Sequence, residues 1–317
     1  MPVTRIFFTS DVHGSEVCFM KFLNAAKFYR AQVLVLGGDI TGKMIVPIVE
    51  QSDGTYLTDF LGSQRIVKNI QERERLEKSI RNTGYYPYVT SKSRMESLTS
   101  DKKLVDELFS QVMLEGVRRW VSIAEERLKE SRVRCYISPG NDDRFEIDNA
   151  LRSSPVVLCP EDDLVWLDEC HEMITSGWTN PSPWHTARET TEERLTEIFD
   201  HMISKVEHME DCIFNLHSPP YDTPIDLAPE LDETLKPVLK GGGVNMIHVG
   251  SKAVRQAVGK HQPLLGLHGH IHESHGFVEI GRTLCVNPGS EYGEKILRGV
   301  LVDLEQKRLK KYLLTQG

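Results

Sequence analysis

Residues 5–39 read RIFFTSDVHGSEVCFMKFLNAAKFYRAQVLVLGGD. Arg5 to Ser10 has the length and apolar content of a strand. Ser15 to Arg30 places Val17, Met20, Leu23 and Ala26 near helical spacing, with Ala31 just beyond, which predicts a helix. Val33 to Leu36 is a continuous apolar run that stops at Gly37-Gly38-Asp39. Strand, helix, strand is a β-α-β unit. Continuous rather than alternating apolar runs predict parallel strands buried on both faces. Asp11, His13 and Asp39 then stand just past the carboxyl ends of two such strands, where open α/β sheets bind their ligands.

Beyond Gly42 the rhythm breaks. As far as about Lys103 the chain is polar, with loop signals at Asp53-Gly54, Gly62, Gly84 and Pro87. Ile66 to Arg81 predicts an exposed helix rich in Glu, Lys and Arg, and the aromatic cluster Tyr85, Tyr86 and Tyr88 follows. Asp101 to Ser131 predicts a long amphipathic helix with Ser100 as its N-cap. Further strands are predicted at 133–137, 156–158, 164–167, 173–175, 212–216 and 264–267, with helices at 191–209 and 251–259. Antiparallel ribbon is predicted at 277–280, 283–286, 300–304 and 309–314. A chain that begins as β-α-β and ends in hairpins predicts two mixed sheets with helices outside, an α/β class. The expected division is a catalytic domain in two parts, 1–42 and 104–317, and a mainly helical insertion or cap at 43–103.

Five short stretches bring chemistry to predicted strand ends: Asp11-Val12-His13, Gly38-Asp39, Gly140-Asn141-Asp142-Asp143, His217 and Gly269-His270-Ile271-His272. Taken alone, Asp11 and His13 would pass for an N-cap and a surface histidine, and Gly38-Asp39 for a strand-ending turn. Together they supply oxygen and imidazole donors without a thiolate. That mixture suits Mn, Fe, Zn or Co better than a Cys-rich zinc site or an all-oxygen calcium site. Seven donors exceed one tetrahedral ion and suit two divalent metal ions sharing a carboxylate.

The run of motifs resembles the calcineurin-like metallophosphoesterases, over nearly the whole chain except the long segment between the second and third motifs. The resemblance implies a sandwich of two mixed β-sheets flanked by helices. It implies that Asp11, His13 and His272 hold one metal, that Asn141, His217 and His270 hold the other, and that Asp39 bridges them. Two cations close together clamp a phosphate and polarise a bridging water into a hydroxide nucleophile. Asp39, Asn141, His217 and Asp142 are therefore the candidate catalytic residues. Asn287-Pro288-Gly289-Ser290 and Gly177-Trp178-Thr179-Asn180-Pro181 also resemble family stretches, the second a loop near substrate.

One position departs from the pattern. Where the family has Gly-Asn-His, this chain has Gly140-Asn141-Asp142, with Asp143 in place of the usual following acid. In the family the missing histidine sits beside the leaving group. An ionised Asp142 cannot protonate that group and repels phosphate, so it is expected to turn away, to pair with a base such as Arg144, or to assist a metal-bound water. Loss of a general acid favours esters with good leaving groups, that is, aryl or nucleotide-type diesters and pyrophosphate-like bonds over alkyl monoesters. His185 and His275 are candidate replacement acids. His268 is expected to be structural, and His171, His201, His208, His248 and His261 solvated or satisfied. Trp178, Trp184, Tyr85, Tyr86 and Tyr88 read either as loop anchors or as stacking surfaces, with Tyr85 to Tyr88 the candidate substrate contacts from the cap. Gly241-Gly242-Gly243 matches no phosphate-loop pattern.

The 317 residues carry a net charge of -8, which gives no electrostatic footprint for long nucleic acid. The expected partner is a small phosphate-ester substrate, with homo-oligomerisation through the insertion as a second role for that segment. A nuclease, or a non-catalytic phosphate-binding or interaction protein, are the competing readings; the second predicts lost ligands, and none of the seven is missing. No apolar run reaches the ~18 residues of a membrane span. The opening ten residues are too short for a secretory signal. The six dispersed cysteines lack framework spacing, which points to a cytoplasmic location.

Overall fold

The computed structural model describes residues 3–317. The β-α-β unit forms from strand Thr4–Thr9, helix Glu16–Phe28 and strand Val33–Gly37. The two strands pair in parallel, with Ile6 opposite Val33 and Thr9 opposite Leu36. Around them grows a six-stranded mixed sheet in the order Arg308–Gln316, Arg298–Glu305, Thr4–Thr9, Val33–Gly37, Arg134–Ser138, Val157–Leu158. A second six-stranded mixed sheet runs Gly276–Ile280, Thr283–Asn287, Leu265–Leu267, Ile213–Leu216, Glu172–Ser176, Leu164–Trp166. Each keeps parallel pairs at its centre and antiparallel pairs towards an edge.

Side-chain alternation builds the layers. Ile6, Phe8, Val33, Val35 and Tyr136 face Met173, Ile213, Leu265, Leu267 and Val286 across the gap between the sheets. The intervening Phe7, Leu34, Leu36, Cys135 and Ile137 face outward onto helices Glu16–Phe28 and Lys102–Leu128. On the far side Ile174, Phe214, Leu216 and Cys285 pack on helices Glu192–Ile203 and Lys252–His261. Burying one such Phe, Leu or Ile stabilises the fold by roughly 1.5–3 kcal/mol. The result is a sandwich of two mixed sheets flanked by helices, with every parallel strand of both sheets reaching towards the same crevice. All six cysteines are free. Among the described residues no helix is long and apolar enough to cross a membrane.

The segment 43–103 corrects the expectation of a mainly helical insertion. It holds a four-stranded sheet in the order Ser63–Val67, Tyr56–Phe60, Ile45–Glu50, Tyr86–Ser91, with helices Ile70–Asn82 and Lys92–Ser100. The β-branched and aromatic residues of Ile45–Val49 and Tyr56–Phe60 win over the polar context. Val46, Ile48, Tyr56, Phe60, Val67, Leu76 and Ile80 form its own hydrophobic cluster. Its charged helix starts later than Ile66 because Asn69 caps it, accepting from the Glu72 amide at 2.9 Å while Glu72 accepts from the Lys68 amide at 3.0 Å. The long helix is capped by Asp101 rather than Ser100, whose side chain is spent within the preceding helix. The helix predicted over 191–209 ends at Ile203.

Candidate metal centre

Parallel strands share a direction, so their carboxyl ends meet. Thr4–Thr9 delivers Asp11 and His13, Val33–Gly37 delivers Asp39, Arg134–Ser138 delivers Asn141, Ile213–Leu216 delivers His217, and Leu265–Leu267 delivers His270 and His272. The loops are stitched to one another. The Asp11 amide donates to the Gly38 carbonyl (3.0 Å), and the His13 amide to that of Asp39 (2.9 Å). Ser290 Oγ donates to the Asp11 carbonyl (2.6 Å) and its amide to the His272 carbonyl (3.1 Å), which makes the turn after Asn287 a strap between the Asp11 and His272 loops.

Asp11, His13, Asp39 and His270 adopt positive φ, at 56°, 37°, 49° and 66°. Such backbone costs of order 1–3 kcal/mol per residue and persists at functional sites. The motif glycines have a steric reason. A Cβ on Gly140 would lie 2.3 Å from Asp39 Oδ1, and one on Gly269 2.4 Å from Asp11 Oδ2.

The side chains converge. His13 Nε2 lies 3.1 Å from His272 Nε2 and 3.6 Å from Asp39 Oδ2. His272 Nε2 lies 3.4 Å from Asp11 Oδ1. His217 Nε2 lies 3.5 Å from Asp39 Oδ1 and 3.8 Å from Asp11 Oδ1. Three overlapping donor triads result, Asp11–His13–His272, Asp39–His217–His270 and His13–Asp39–Asp142. Asn141 presents a buried, unpartnered Oδ1, while its Nδ2 donates to Thr186 Oγ1 at 2.7 Å.

The electrostatics ask for positive charge. Asp11 and Asp39 are buried, and among the described residues neither has a Lys or Arg partner. Burial alone would raise both carboxyls, yet the neighbouring imidazoles hold them below the ordinary range. Conversely His217, which burial would lower, is raised to about 9 by Asp39 and Asp11. Burial lowers His13 to about 3. Burial and His217 lower His270 to about 4. His217 Nδ1–H donates to the Gly37 carbonyl (2.9 Å), which fixes the tautomer and turns its unpartnered Nε2 to the carboxylates. Two buried carboxylates, imidazole nitrogens without donors and an orphaned amide oxygen fit divalent cations of intermediate softness.

Asp142 does not pair with Arg144, which instead holds Asp106 (2.6 Å) and Ser110 (2.7 Å). Its carboxylate lies 3.1 Å from Lys43 Nζ and 3.8 Å from His13 Nδ1. Its amide donates to Asp39 Oδ1 at 2.9 Å. Asp143 is buried and binds backbone: it accepts from the amides of Gly140, Ile40 and Thr41 and from Thr41 Oγ1, so it clamps the Asp39 and Asn141 loops together.

His268 donates from Nδ1 to the Leu216 carbonyl (2.7 Å), a structural position. His171, expected to be satisfied, binds Asp168 and the Gln306 carbonyl. His185 and His275 are exposed. Tyr86 reads as a loop anchor, because its hydroxyl accepts from the Gly42 amide (2.8 Å) and its ring packs edge-on against Phe109; Tyr85 packs edge-on against Phe60. Trp178 lines a separate cavity of about 620 Å³ with Arg194, Ile198 and Met202. Sequence reasoning missed Lys43 and Tyr292. The Tyr292 ring sits 4.9 Å from that of His13. The available signals were a lysine four residues after Asp39 and an aromatic just beyond the Asn287–Ser290 turn.

No protein-family profile matches the chain. An uncharacterized protein of Methanocaldococcus jannaschii, MJ1162, is 32% identical over 152 residues, which is 47% of this chain and 61% of that protein. The match therefore spans under two thirds of the relative. The protein TT1561 of Thermus thermophilus superposes with a TM-score of 0.54 at 15% identity, covering 100% of this chain and 99% of its own. Another solved chain superposes with a TM-score of 0.59 at 15% identity, covering 99% of each. These likenesses bear on the fold.

Proposed function

We propose that this protein hydrolyses a phosphate ester, with a phosphodiester favoured, using two divalent metal ions. The observation that carries the reading is the convergence of Asp11, His13, Asp39, Asn141, His217, His270 and His272 with unpartnered buried donor atoms at one set of strand ends. Asp11, His13 and His272 would hold one cation, Asn141, His217 and His270 the other, and Asp39 both. Such cations supply Lewis-acid polarisation of the phosphoryl group and a water-derived nucleophile at neutral pH.

The chain's own residues do the rest. The Asp142 amide and the fixed His217 tautomer orient Asp39 and the Nε2 lone pair. Strap and clamp contacts from Ser290 and Asp143 hold the loops at the spacing that preorganised charge stabilisation requires. The phosphodiester preference follows from position 142, where a carboxylate already paired with Lys43 stands in place of an imidazole acid.

The test is metal analysis of the purified protein together with hydrolysis of aryl phosphomonoesters and aryl phosphodiesters. About two equivalents of Mn, Fe, Zn or Co and faster diester turnover are expected. A protein that takes up no divalent metal, or is fully loaded yet inert towards every ester, would overturn the reading.

A further inference from the structure

Resting on the phosphoesterase reading, we infer that Lys43 is the residue that binds the substrate's phosphate from the protein side, and that Asp142 and Tyr86 are the positioning residues that hold it there. Among the described residues Lys43 is the Lys or Arg that ion-pairs with the cluster and its rim; the charged-partner contacts of Asp11 and Asp39 are with imidazoles. An ammonium has three N–H donors. Among the described residues one acceptor, Asp142 Oδ2 at 3.1 Å, is within reach, so the remaining donors are free for an anion. The acceptor is itself part of the site, 3.8 Å from His13 Nδ1 and attached through its amide to Asp39.

The turn that carries Lys43 is built rather than loose. The Gly42 amide donates to Tyr86 Oη at 2.8 Å, and a Cβ on Gly42 would come within 2.2 Å of the Gly84 carbonyl oxygen. Both partners belong to the insertion. The inserted segment thus brings a lysine to the site on an anchored turn, and the Tyr85 to Tyr88 cluster contributes that anchor through Tyr86.

The charge logic gives the role. Asp142 left alone would oppose an incoming phosphate at close range; paired with Lys43 it is neutralised, and the ammonium's outer donors face the anion. During hydrolysis the water oxygen bonds to phosphorus, the bond from phosphorus to the ester oxygen breaks, and its electron pair goes to the leaving oxygen. The water's proton passes to solvent. Lys43 stabilises the phosphate charge without giving up a proton.

The experiment uses Mn²⁺-loaded full-length protein and inorganic phosphate as the probe. Phosphate dissociation constants by calorimetry, kcat and KM on an aryl phosphodiester, and bound metal are compared for the natural protein, Lys43→Met, Lys43→Gln, Lys43→Arg, Tyr86→Phe, Asp142→Asn and Lys43→Met/Asp142→Asn. Lys43→Met should weaken phosphate binding and raise KM by about 10- to 10²-fold, the scale of a hydrogen bond to a charged group, with metal content retained. Lys43→Arg should recover most of this. The double variant should bind phosphate better than Lys43→Met alone, because the uncompensated carboxylate is gone. Tyr86→Phe should reproduce a weaker form of the Lys43→Met effect. Should Lys43→Met fail to fold, Lys43→Gln carries the same expectation. Unchanged phosphate affinity in a folded, metal-loaded Lys43 variant, or no recovery in the double variant, overturns the inference while leaving ester hydrolysis intact. A metal-loaded natural protein that neither binds phosphate nor cleaves any ester overturns the underlying reading and this inference with it.

Discussion

His171 and His217 stand at opposite ends of two adjacent parallel strands. His171 immediately precedes Glu172–Ser176 and His217 immediately follows Ile213–Leu216. Both are buried. At the amino end both ring nitrogens are spent: Nδ1 lies 2.6 Å from Asp168 Oδ2 and Nε2 2.8 Å from the Gln306 carbonyl. At the carboxyl end Nδ1 is spent on Gly37, while Nε2 has no hydrogen-bond partner and faces Asp11 and Asp39. Neither residue type nor burial separates the two. What separates them is whether the second nitrogen is used by the fold. A spent imidazole is a strut, and an unspent one between buried carboxylates keeps a nitrogen that the proposed cation would take.

The largest expected effect tests the carboxyl end directly. Asp39→Asn removes the carboxylate proposed to hold both cations and should lower activity by on the order of 10³-fold or more, with most of the metal lost, since a bound cation contributes several kcal/mol to such a step. Kinetics and metal analysis of the same preparation check this. A loaded and active Asp39→Asn protein would dissolve the distinction between the two ends.

His217→Ala and His171→Gln should then diverge. His217→Ala should lose metal and turnover while keeping its secondary structure by circular dichroism. His171→Gln should keep both but lose stability in urea by roughly 1–3 kcal/mol, the scale of a hydrogen bond to a charged group. Equal loss of activity in both variants would mean that a spent nitrogen is no guide to role. Chelation should act at the carboxyl end alone. A metal held at about 100 times its Kd stabilises the folded state by about 2.7 kcal/mol, so chelator should lower Tm in the natural protein and in His171→Gln but not in His217→Ala.

The same contrast explains what was legible in the sequence. Apolar runs such as Phe7–Phe8 and Val33–Leu36 alternate their side chains between two cores, and a donor at the end of a buried strand has few explanations other than chemistry. Asp11, Asp39 and the His270–His272 pair could therefore be read from pattern. The insertion has no such constraint. Its strands Ile45–Glu50 and Tyr56–Phe60 are short and set among polar residues, so the helical signal of Glu72 to Arg81 overshadowed them. Lys43 was illegible because nothing in a sequence says which carboxylate a flexible ammonium will meet. Of the alternatives open for Asp142, it meets a base, but not the nearer one in sequence: Arg144 is turned outward to Asp106 on the long helix, and Lys43 takes its place. Partners set by tertiary packing leave no spacing to read.

The smallest effect sharpens the description of the amino end, through pH. The His171 imidazole would be lowered by burial, but the carboxylate of Asp168 and the Gln306 carbonyl raise it above its ordinary value. Asp168, for its part, is held below the usual carboxylate range by the imidazole and nearby amides, which outweigh its burial, and stays ionised throughout the neutral region. A histidine with a raised folded pKa binds its proton more tightly when folded than when unfolded, where the value is about 6.5. Its contribution is therefore fully present below about pH 6.5 and is lost as pH rises through the folded value. The quantity to measure is the urea stability of the natural protein minus that of His171→Gln, at saturating metal so that the cluster's own titration cancels in the difference. That difference should be largest near pH 6, shrink steadily towards pH 9, and leave a residue from packing and the neutral hydrogen bond. A difference that stays flat across the range would mean that His171 is neutral when folded. One that grows with pH would reverse the sign and remove the ion pair with Asp168 from the description of this end of the sheet.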